Sequence, residues 1–529
     1  MKIVHNELSA AIREAYKAGE EDETLRPLVL AGPDGRAIGR IHREDGVIFY
    51  NIRGEREIEL TRSLTEKGFA AFPVEESLGL RYATMIEYDE ALNVAVAFPP
   101  DGVIRDTLSE VLSKHGIRQV KITEAEKAVH VGFFLNGKRG EPFPGEEKII
   151  VPTRKDVTLF DEAPQMSIEE ITETVIGKIG DNYCRFVFAN FPNVDVVGHI
   201  ENEAAILTAV EAVDNATGRA VKAALAEGMT VIVSADHGTV EKWLYPDGAV
   251  DTGHTDSPVP FILINAGRNV SLLSGGSLTD VAPTILHLMG IAKPSLMTGT
   301  SLIESGLFEA TPSRRILFLV LDGWGANPDP HGNLIAKART PVLDGLLASH
   351  PHTLLQASGE AVGLPSGTVG NSEAGHLHIG AGRLIYSDRV KIDRAIADGS
   401  FYMNPAFQSV MAWAKKRSSA LHLMGIVSFF SSHGSLHHLF ALLEMARREG
   451  VPEVYIHAML GRRGELPESG PRYIEEVEST CENLGVGRVV SVIGRYWSMD
   501  REENWDRIEK TYRMLLYGEG TPVAMRREA

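Results

Sequence analysis

Continuous apolar runs that end beside an acidic residue constrain this fold more than any other feature of the sequence. The runs RFVFANF, TVIVSA and ILFLVL lead into Asp195, Asp236 and Asp322, respectively. Apolar runs without alternation are typical of parallel strands that are buried on both faces of a sheet. From about residue 102 these runs alternate with helical patterns. The sequence therefore predicts an α/β fold built on a parallel sheet.

Histidines accompany the acidic residues at the predicted strand ends. His199 stands four residues after Asp195, His237 directly follows Asp236, and His254 lies in the segment DTGHTDSP. Each of these residues alone is explained as a cap, a turn residue or a core histidine. Open α/β sheets, however, bind ligands at the carboxyl ends of their strands. Three histidines and three aspartates in this pattern therefore predict a common site at one sheet edge.

A glycine-rich stretch, GLPSGTVGNSEAGHLHIGAGR (363–383), presents Ser372 among small residues. A serine hydroxyl is a competent nucleophile only when its surroundings activate it. The stretch has no Gly-x-Ser-x-Gly elbow, and no histidine at a recognisable spacing marks a base. The activator is therefore predicted to come from elsewhere, with a metal as the leading candidate. Taken alone, the stretch is better explained as a surface loop with an incidental serine.

The donor set of the predicted site indicates divalent metal ions. Three aspartates, three histidines and Ser372 offer mixed oxygen and nitrogen ligands for two ions. The absence of cysteine from this set disfavours a structural zinc site. We expect Mn2+ first, with Mg2+, Co2+ or Zn2+ as alternatives. Paired ions can stabilise both the attacking and the leaving oxygen of a phosphoryl displacement, so the sequence predicts phosphoryl chemistry.

Charge and cysteine content limit the partners of the protein. Lys plus Arg number 53 and Asp plus Glu 71, which gives a net charge of 53 − 71 = −18. This balance argues against nucleic acid or an anionic membrane as the main partner. The N-terminus resembles neither a signal peptide nor a membrane span. Because only two cysteines occur, a reducing compartment fits. We expect a cytoplasmic monomer that acts on a small molecule.

Several cationic residues are candidates for binding an anionic substrate. Arg53 and Arg56 stand three apart where a strand pattern meets a helix pattern. Arg495 and Arg501 lie in the segment VVSVIGRYWSMDR. Guanidinium groups bind carboxylate and phosphate in a two-pronged manner. Any one of these arginines alone is more often a solvated surface residue.

Eight short strings carry a resemblance to a known family. They are LDGWG, ARTPVLDGLL, ASGEAVGLP, GNSEAGH, GAGR, GRYWSMDR, FPGEE and SADHG. Together they resemble the cofactor-independent phosphoglycerate mutases, which belong to the alkaline-phosphatase-like metalloenzymes. The resemblance covers nearly the whole chain, but the order differs. Segments that normally begin the family's chains lie from about residue 314 onward, so the sequence looks circularly permuted.

The resemblance implies an activity and a role for each candidate residue. The activity is interconversion of 3-phosphoglycerate and 2-phosphoglycerate through a phosphoserine at Ser372, without 2,3-bisphosphoglycerate. One metal ion would be held by Asp195, His199 and His254, and the other by Asp322, Ser372, Asp236 and His237. Substrate contacts would come from His433, Arg463, Arg495, Arg501, Arg53, Arg56 and Lys127.

The resemblance also implies two α/β domains. An alkaline-phosphatase-like, metal-binding domain would be continuous over residues 102–387. A transferase domain that binds the substrate would be assembled from residues 1–101 and 388–529. Exposed loops and domain boundaries are where such permutation is tolerated.

Some positions depart from the family pattern. Gly464 and Gly461 stand where the family has aspartates, SFFS (428–431) replaces SDGG, and Thr239 replaces asparagine. Glu465 is the nearby carboxylate that could substitute for the missing proton carrier. These departures leave open a phosphomonoesterase with weakened or lost mutase activity. A non-catalytic, metal-binding regulatory protein is the third hypothesis.

Overall fold

The chain forms two compact units in its structure, a computed structural model that describes residues 7–181, 184–429, 431–461 and 468–525. The first, here called the continuous unit, comprises residues 101–387. The second, the two-segment unit, combines residues 1–100 with residues 388–529. Each unit is described separately below.

The strands in the described residues, in chain order, are β1 (Leu28–Ala31), β2 (Gly46–Phe49), β3 (Arg81–Ile86), β4 (Ala95–Phe98), β5 (Gln119–Glu124), β6 (Glu146–Val151), β7 (Phe186–Phe191), β8 (Thr230–Ser234), β9 (Val259–Ile264), β10 (Arg268–Leu272), β11 (Ile303–Leu307), β12 (Ile316–Leu321), β13 (His352–Leu355), β14 (Leu421–Ile426), β15 (Val454–Leu460), β16 (Arg488–Gly494) and β17 (Thr521–Ala524).

The α-helices in the same residues are α1 (Glu7–Lys17), α2 (Ile58–Thr65), α3 (Leu108–Lys114), α4 (Ile168–Gly180), α5 (Asn193–Gly198), α6 (Glu203–Ala226), α7 (Val281–Leu288), α8 (Leu334–Lys337), α9 (Pro341–Ser349), α10 (Ser372–Ala381), α11 (Asp388–Asp398), α12 (Pro405–Arg417), α13 (Leu436–Glu449), α14 (Gly470–Leu484), α15 (Arg495–Ser498) and α16 (Trp505–Tyr517). Within the described part of the chain, none of these helices has the length and apolarity needed to cross a membrane.

The continuous unit is built on a seven-stranded sheet in the order β13-β9-β8-β12-β7-β5-β6. The strands from β8 to β6 run parallel, as the apolar runs predict. The α/β fold class is therefore confirmed. In contrast, β9 and β13 pair antiparallel at one edge. A parallel return needs a crossover, usually a helix. Residues 235–258, all of which the structure describes, contain no helix, so β9 runs back beside β8.

One apolar stretch of the continuous unit is helical although its composition favours a strand. The segment VHVGFFL is strand-like in composition, but the structure forms a π-helical turn over His130–Phe134. Val131 and Leu135 are both buried there. A spacing of four residues places two side chains on one helical face, so burial of this pair favours a helical turn. The turn lies in the segment that follows Lys127, a residue of the candidate site.

The two-segment unit contains an eight-stranded sheet to which both chain segments contribute. Its order is β17-β1-β16-β15-β14-β2-β3-β4. Strand β2 of the first segment pairs parallel with β14 of the second, and β1 pairs parallel with β17. The buried apolar residues of both segments form one hydrophobic cluster. The two segments therefore share a single core.

Four buried polar side chains form a hydrogen-bonded chain across the two-segment sheet. His422 Nε2 lies 3.1 Å from Asp45 Oδ2, and His422 Nδ1 lies 2.9 Å from His457 Nε2. His457 Nδ1 lies 2.8 Å from Ser491 Oγ. Every contact is satisfied when both histidines are neutral with the proton on Nε2, because each Nδ1 then accepts a hydrogen bond. Burial lowers the pKa of both histidines, that of His457 strongly.

We expect this row of hydrogen-bonded side chains to make the stability of the two-segment unit sensitive to acid. The folded-state pKa values lie below the ordinary histidine value of about 6.5. The stabilisation is therefore complete above that pH and is lost as the pH falls below it. Each histidine contributes a slope of up to about 1.4 kcal/mol per pH unit to the free energy of unfolding. Urea unfolding from pH 8 to pH 5 should show a shallower slope in His457→Gln, and an unchanged slope contradicts this assignment.

Candidate functional site

The three predicted aspartates meet at one edge of the continuous sheet. Asp236 follows β8, Asp322 follows β12, and Asp195 lies in α5, directly after β7. These three strands are neighbours that run in the same direction. All three aspartate side chains are buried. Burying carboxylates is costly unless cations or hydrogen-bond donors neutralise them, so this edge requires positive charge.

Ser372 lies at this edge as the first residue of α10 and is buried. Its Oγ atom is 2.7 Å from Lys127 Nζ, 2.9 Å from His237 Nε2 and 3.3 Å from Asp322 Oδ1. Gly375, one turn later, lets the helix approach the sheet, because a Cβ atom there would lie 2.5 Å from the carbonyl oxygen of Asp236. The stretch around Ser372 is therefore part of the site and not a surface loop.

Lys127 supplies one of the positive charges in the site. It ends the short helical turn Ala125–Lys127, which directly follows β5. Its Nζ atom lies 2.6 Å from Asp195 Oδ2 and 2.9 Å from Asp322 Oδ1. Burial alone lowers a lysine pKa, but Asp322 and Asp195 outweigh it and raise the pKa of Lys127. The ammonium group therefore stays charged and ties both carboxylates to Ser372.

Two histidines converge on Asp195. His254 Nε2 lies 3.0 Å from Asp195 Oδ1, and His199 Nε2 lies 3.3 Å from the same oxygen. Their Nδ1 atoms face the carbonyl oxygens of Gly370 and Thr252, at 2.9 and 2.7 Å. When each ring is neutral and donates from Nδ1, its Nε2 lone pair faces the carboxylate. The two Nε2 atoms lie 3.1 Å from each other. Metal-ligating histidines are typically oriented in this way, so these residues fit a divalent cation.

His237 is completely buried among carboxylates. Its Nε2 lies 3.4 Å from Asp322 Oδ1, 3.6 Å from Asp236 Oδ2 and 3.6 Å from Asp195 Oδ1. Burial alone lowers a histidine pKa, but the charge of Asp236 and contacts with the other carboxylates raise the pKa of His237 to about 10. The excess of negative charge around this ring is a second indication that the site binds cations.

The structure adds His376, which the sequence analysis did not single out. Its Nδ1 atom lies 3.2 Å from Asp236 Oδ2. Among the described residues, the potential ligand atoms form two groups with internal spacings within 4.8 Å: Asp195, His237 and His254, and Asp236, Asp322 and His376. His237 was expected to join Asp236 and Asp322. Position 376 is one helical turn after Ser372, and that spacing is the signal that could have identified it.

The predicted substrate-binding arginines lie in the two-segment unit. Arg53 and Arg501 both lie 3.1 Å from Glu55 Oε1. Arg56 donates from its guanidinium group to the carbonyl oxygen of Met499 at 3.0 Å. The structure therefore brings Arg53 and Arg501 together around one carboxylate.

The remaining candidates in this unit differ in their placement. Arg495 is buried at the start of α15, with Nε 3.8 Å from Glu23. His433 is buried, with Nδ1 3.2 Å from Glu57 Oε1. Glu57 is fully buried, and no sequence pattern marked it. Arg463, with its neighbours Gly464 and Glu465, lies outside the described residues, so the roles of these three stay predictions.

Two family models match the chain. The family described as "Metalloenzyme superfamily" matches residues 25–293, and "BPG-independent PGAM N-terminus" matches residues 392–529. A 2,3-bisphosphoglycerate-independent phosphoglycerate mutase of Thermomicrobium roseum is 43% identical over 55% of this chain and 57% of its own length. The enzyme of that name from Syntrophotalea carbinolica is 39% identical over 56% of this chain and 57% of its own length.

A solved structure is also similar to part of the chain. It is the phosphoglycerate mutase of Leishmania mexicana at low cobalt concentration, 29% identical over 53% of this chain and 53% of that chain, with a TM-score of 0.37. The chain spans little more than half the length of the two curated relatives described above.

Proposed function

This chain belongs to the metalloenzyme superfamily, and from that premise we propose that it interconverts 3-phosphoglycerate and 2-phosphoglycerate. One observation carries the proposal: the Ser372 hydroxyl lies within 3.3 Å of Lys127, His237 and Asp322, at a buried set of metal-ligating side chains. Relatives that share about 40% identity are named as mutases of this kind. No 2,3-bisphosphoglycerate takes part in the proposed reaction.

Two divalent ions, most favourably Mn2+, are proposed to act in this site. The residues that would hold them are those of the two structural groups, together with His199 and Ser372. Bound ions would supply positive charge that lowers the pKa of the serine hydroxyl and neutralises phosphoryl oxygens. The mixed carboxylate and imidazole donors suit Mn2+, with Mg2+, Co2+ and Zn2+ as alternatives.

The side chains of the continuous unit are proposed to perform the phosphoryl transfer. Ser372 Oγ attacks the phosphorus atom as the deprotonated alkoxide, the bond from phosphorus to the glycerate oxygen breaks, and a phosphoserine forms; the alkoxide is regenerated when the phosphoryl group returns to the glycerate. The Lys127 ammonium group donates to Ser372 Oγ and stabilises the charge that develops there. The glycerate then reorients, and its other hydroxyl takes the phosphoryl group back.

The two-segment unit is proposed to hold the glycerate during this exchange. Its arginines, Arg53 and Arg501 first among them, offer paired N–H donors to the carboxylate. Small-molecule phosphoglycerate is the only partner in this proposal, and a monomer suffices. The cysteines Cys184 and Cys481 are both free and buried, which fits a reducing, cytoplasmic location.

We further propose that the chain is circularly permuted relative to its family. The description "BPG-independent PGAM N-terminus" matches residues 392–529, which follow the superfamily match at 25–293. That order supports a reversed arrangement of the family's segments.

A coupled assay of the purified protein tests the proposed function. The protein is incubated with 3-phosphoglycerate and Mn2+, and 2-phosphoglycerate and free phosphate are measured in the same sample. Formation of 2-phosphoglycerate in excess of phosphate is expected. Phosphate release without 2-phosphoglycerate identifies a phosphomonoesterase and contradicts the mutase. Absence of any turnover of phosphate esters identifies a binding protein.

Removal of metal is expected to abolish this turnover. The ligand set consists of three buried aspartates and the histidines around them, without a cysteine. A chelator should therefore remove the metal ions completely, because no thiolate retains them. Activity should fall below about 1% and return with Mn2+ more completely than with Mg2+. Elemental analysis of the same samples gives the metal content. Full activity in a sample shown to be metal-free contradicts the prediction.

A further inference from the structure

A buried histidine–carboxylate pair lies beside the arginines of the two-segment unit. His433 Nδ1 is 3.2 Å from Glu57 Oε1, and both side chains are buried. The Asn51 amide donates to Glu57 Oε1 at 2.7 Å, and the backbone N–H of Arg56 donates to Glu57 Oε2 at 3.0 Å. Three donors therefore fix the carboxylate, and the carboxylate in turn fixes the ring.

This pairing leaves the other ring nitrogen of His433 available. With Nδ1–H donating to Glu57, the neutral ring presents the lone pair of Nε2. Across the described part of the chain, Nε2 has no hydrogen-bond partner. The main chain at His433 is fixed as well, since the backbone N–H of Ile52 donates to the His433 carbonyl oxygen at 2.7 Å. An oriented imidazole with one free nitrogen is the usual form of a general acid–base group.

The charged groups around His433 come from two neighbouring segments. Glu57 contacts the ring directly, and Glu55 lies two residues before Glu57 in the sequence. Glu55 is in turn paired with Arg53 and Arg501. The arginines suit a carboxylate or phosphate ligand, but guanidinium groups do not exchange protons at any relevant pH. Among these groups, His433 is the one suited to proton transfer near neutral pH.

We propose that His433 is the proton carrier for the glycerate hydroxyls and that Glu57 is its positioning residue. This inference rests on the proposed mutase function. As the bond from phosphorus to the first glycerate oxygen breaks and the phosphoserine forms, Nε2–H of the imidazolium donates its proton to that oxygen. As the second hydroxyl attacks the phosphoserine, its proton moves to Nε2, and the Ser372 oxygen departs. Each cycle returns His433 to its protonated state.

Substitution of the pair tests the proposal through two reactions of the same enzyme. The first is conversion of 3-phosphoglycerate to 2-phosphoglycerate. The second is hydrolysis of p-nitrophenyl phosphate, whose leaving group needs no proton. His433→Asn should lower the first rate by about 10²-fold or more and the second far less. Glu57→Gln should lower the first by at least about 10-fold, and Glu57→Asp should restore part of it.

The pH profile separates a positioning role from a structural one. Glu57→Gln removes the negative charge beside the imidazolium that the proposed cycle requires, so the basic limb of the mutase pH profile should move to lower pH. Asp393→Asn is the control, because it breaks another histidine–carboxylate pair in the same unit, in which the buried His438 Nε2 lies 2.9 Å from Oδ1 of the partly exposed Asp393. The Asp393→Asn variant should have the same mutase rate and the same pH profile as the wild type.

Three outcomes overturn the proposal. His433→Asn with a mutase rate within about threefold of the wild type excludes proton transfer by His433. Equal losses in both reactions, with an unmoved profile, show that the pair serves folding alone. Wild-type protein that forms no 2-phosphoglycerate refutes the proposed function itself, and with it the role of this pair, before any variant is compared.

Discussion

Replacing Ser372 with alanine is expected to lower kcat for the mutase reaction by at least about 10⁴-fold, because nothing else at the site replaces a lost nucleophile. The fold should persist, since Lys127 keeps its contacts with Asp195 and Asp322. The free energy of unfolding should change by about 1 kcal/mol or less. Stopped assays measure the rate, and intact-mass spectrometry after incubation with 3-phosphoglycerate detects the phosphoryl group on the wild type.

Ser366→Ala is the matched control for this substitution. Ser366 lies in the same glycine-rich stretch but is exposed, so its loss should leave activity and phosphorylation unchanged. A phosphoryl group found on another residue would move the nucleophile away from Ser372. Retention of more than a few per cent of activity in Ser372→Ala would exclude a covalent mechanism through this serine.

Asp195→Asn is expected to cause the second-largest loss of activity. This one carboxylate contacts Lys127 and three histidines of the site, His199, His237 and His254. Burial favours a neutral carboxyl, but the positive charge of Lys127 outweighs it and holds the pKa of Asp195 well below its usual range. The amide removes the negative charge that these groups neutralise. Metal affinity should fall by at least about 10²-fold, since losing even an outer-shell partner costs 10–100-fold.

Activity of Asp195→Asn should fall by at least about 10³-fold at limiting metal. Calorimetric titration with Mn2+ measures the affinity independently of turnover. Asp214→Asn is the control, because Asp214 is a buried aspartate of the same unit that accepts hydrogen bonds from the backbone N–H groups of Val342 and Leu343, away from the site. Equal metal affinity in Asp195→Asn and the wild type would show that Asp195 is not a ligand.

The sequence predicted the elements that local patterns encode. The apolar runs ending before Asp236 and Asp322 form parallel strands, and four apolar residues at helical spacing along α6 are buried: Ile206, Val210, Val213 and Val221. These predictions succeed because a strand buried on both faces appears in the sequence as a continuous apolar run, and a helix buried on one face appears as apolar residues at helical spacing. The helical turn at His130–Phe134 shows the limit of such patterns, because a short apolar run suits either a strand or a helix.

The sequence by itself therefore determined the fold class, the sheet edge at which the aspartates collect, and the family that the motifs resemble. Only the tertiary structure decided which side chains meet: Lys127 between Asp195 and Ser372, His376 beside Asp236, and Glu57 behind His433. It also decided that β2 pairs with β14 in one sheet. The periodicity of apolar residues indicates which face of a helix or strand is buried. A contact between residues distant in sequence depends instead on how helices and strands pack together, and no local sequence pattern encodes that packing.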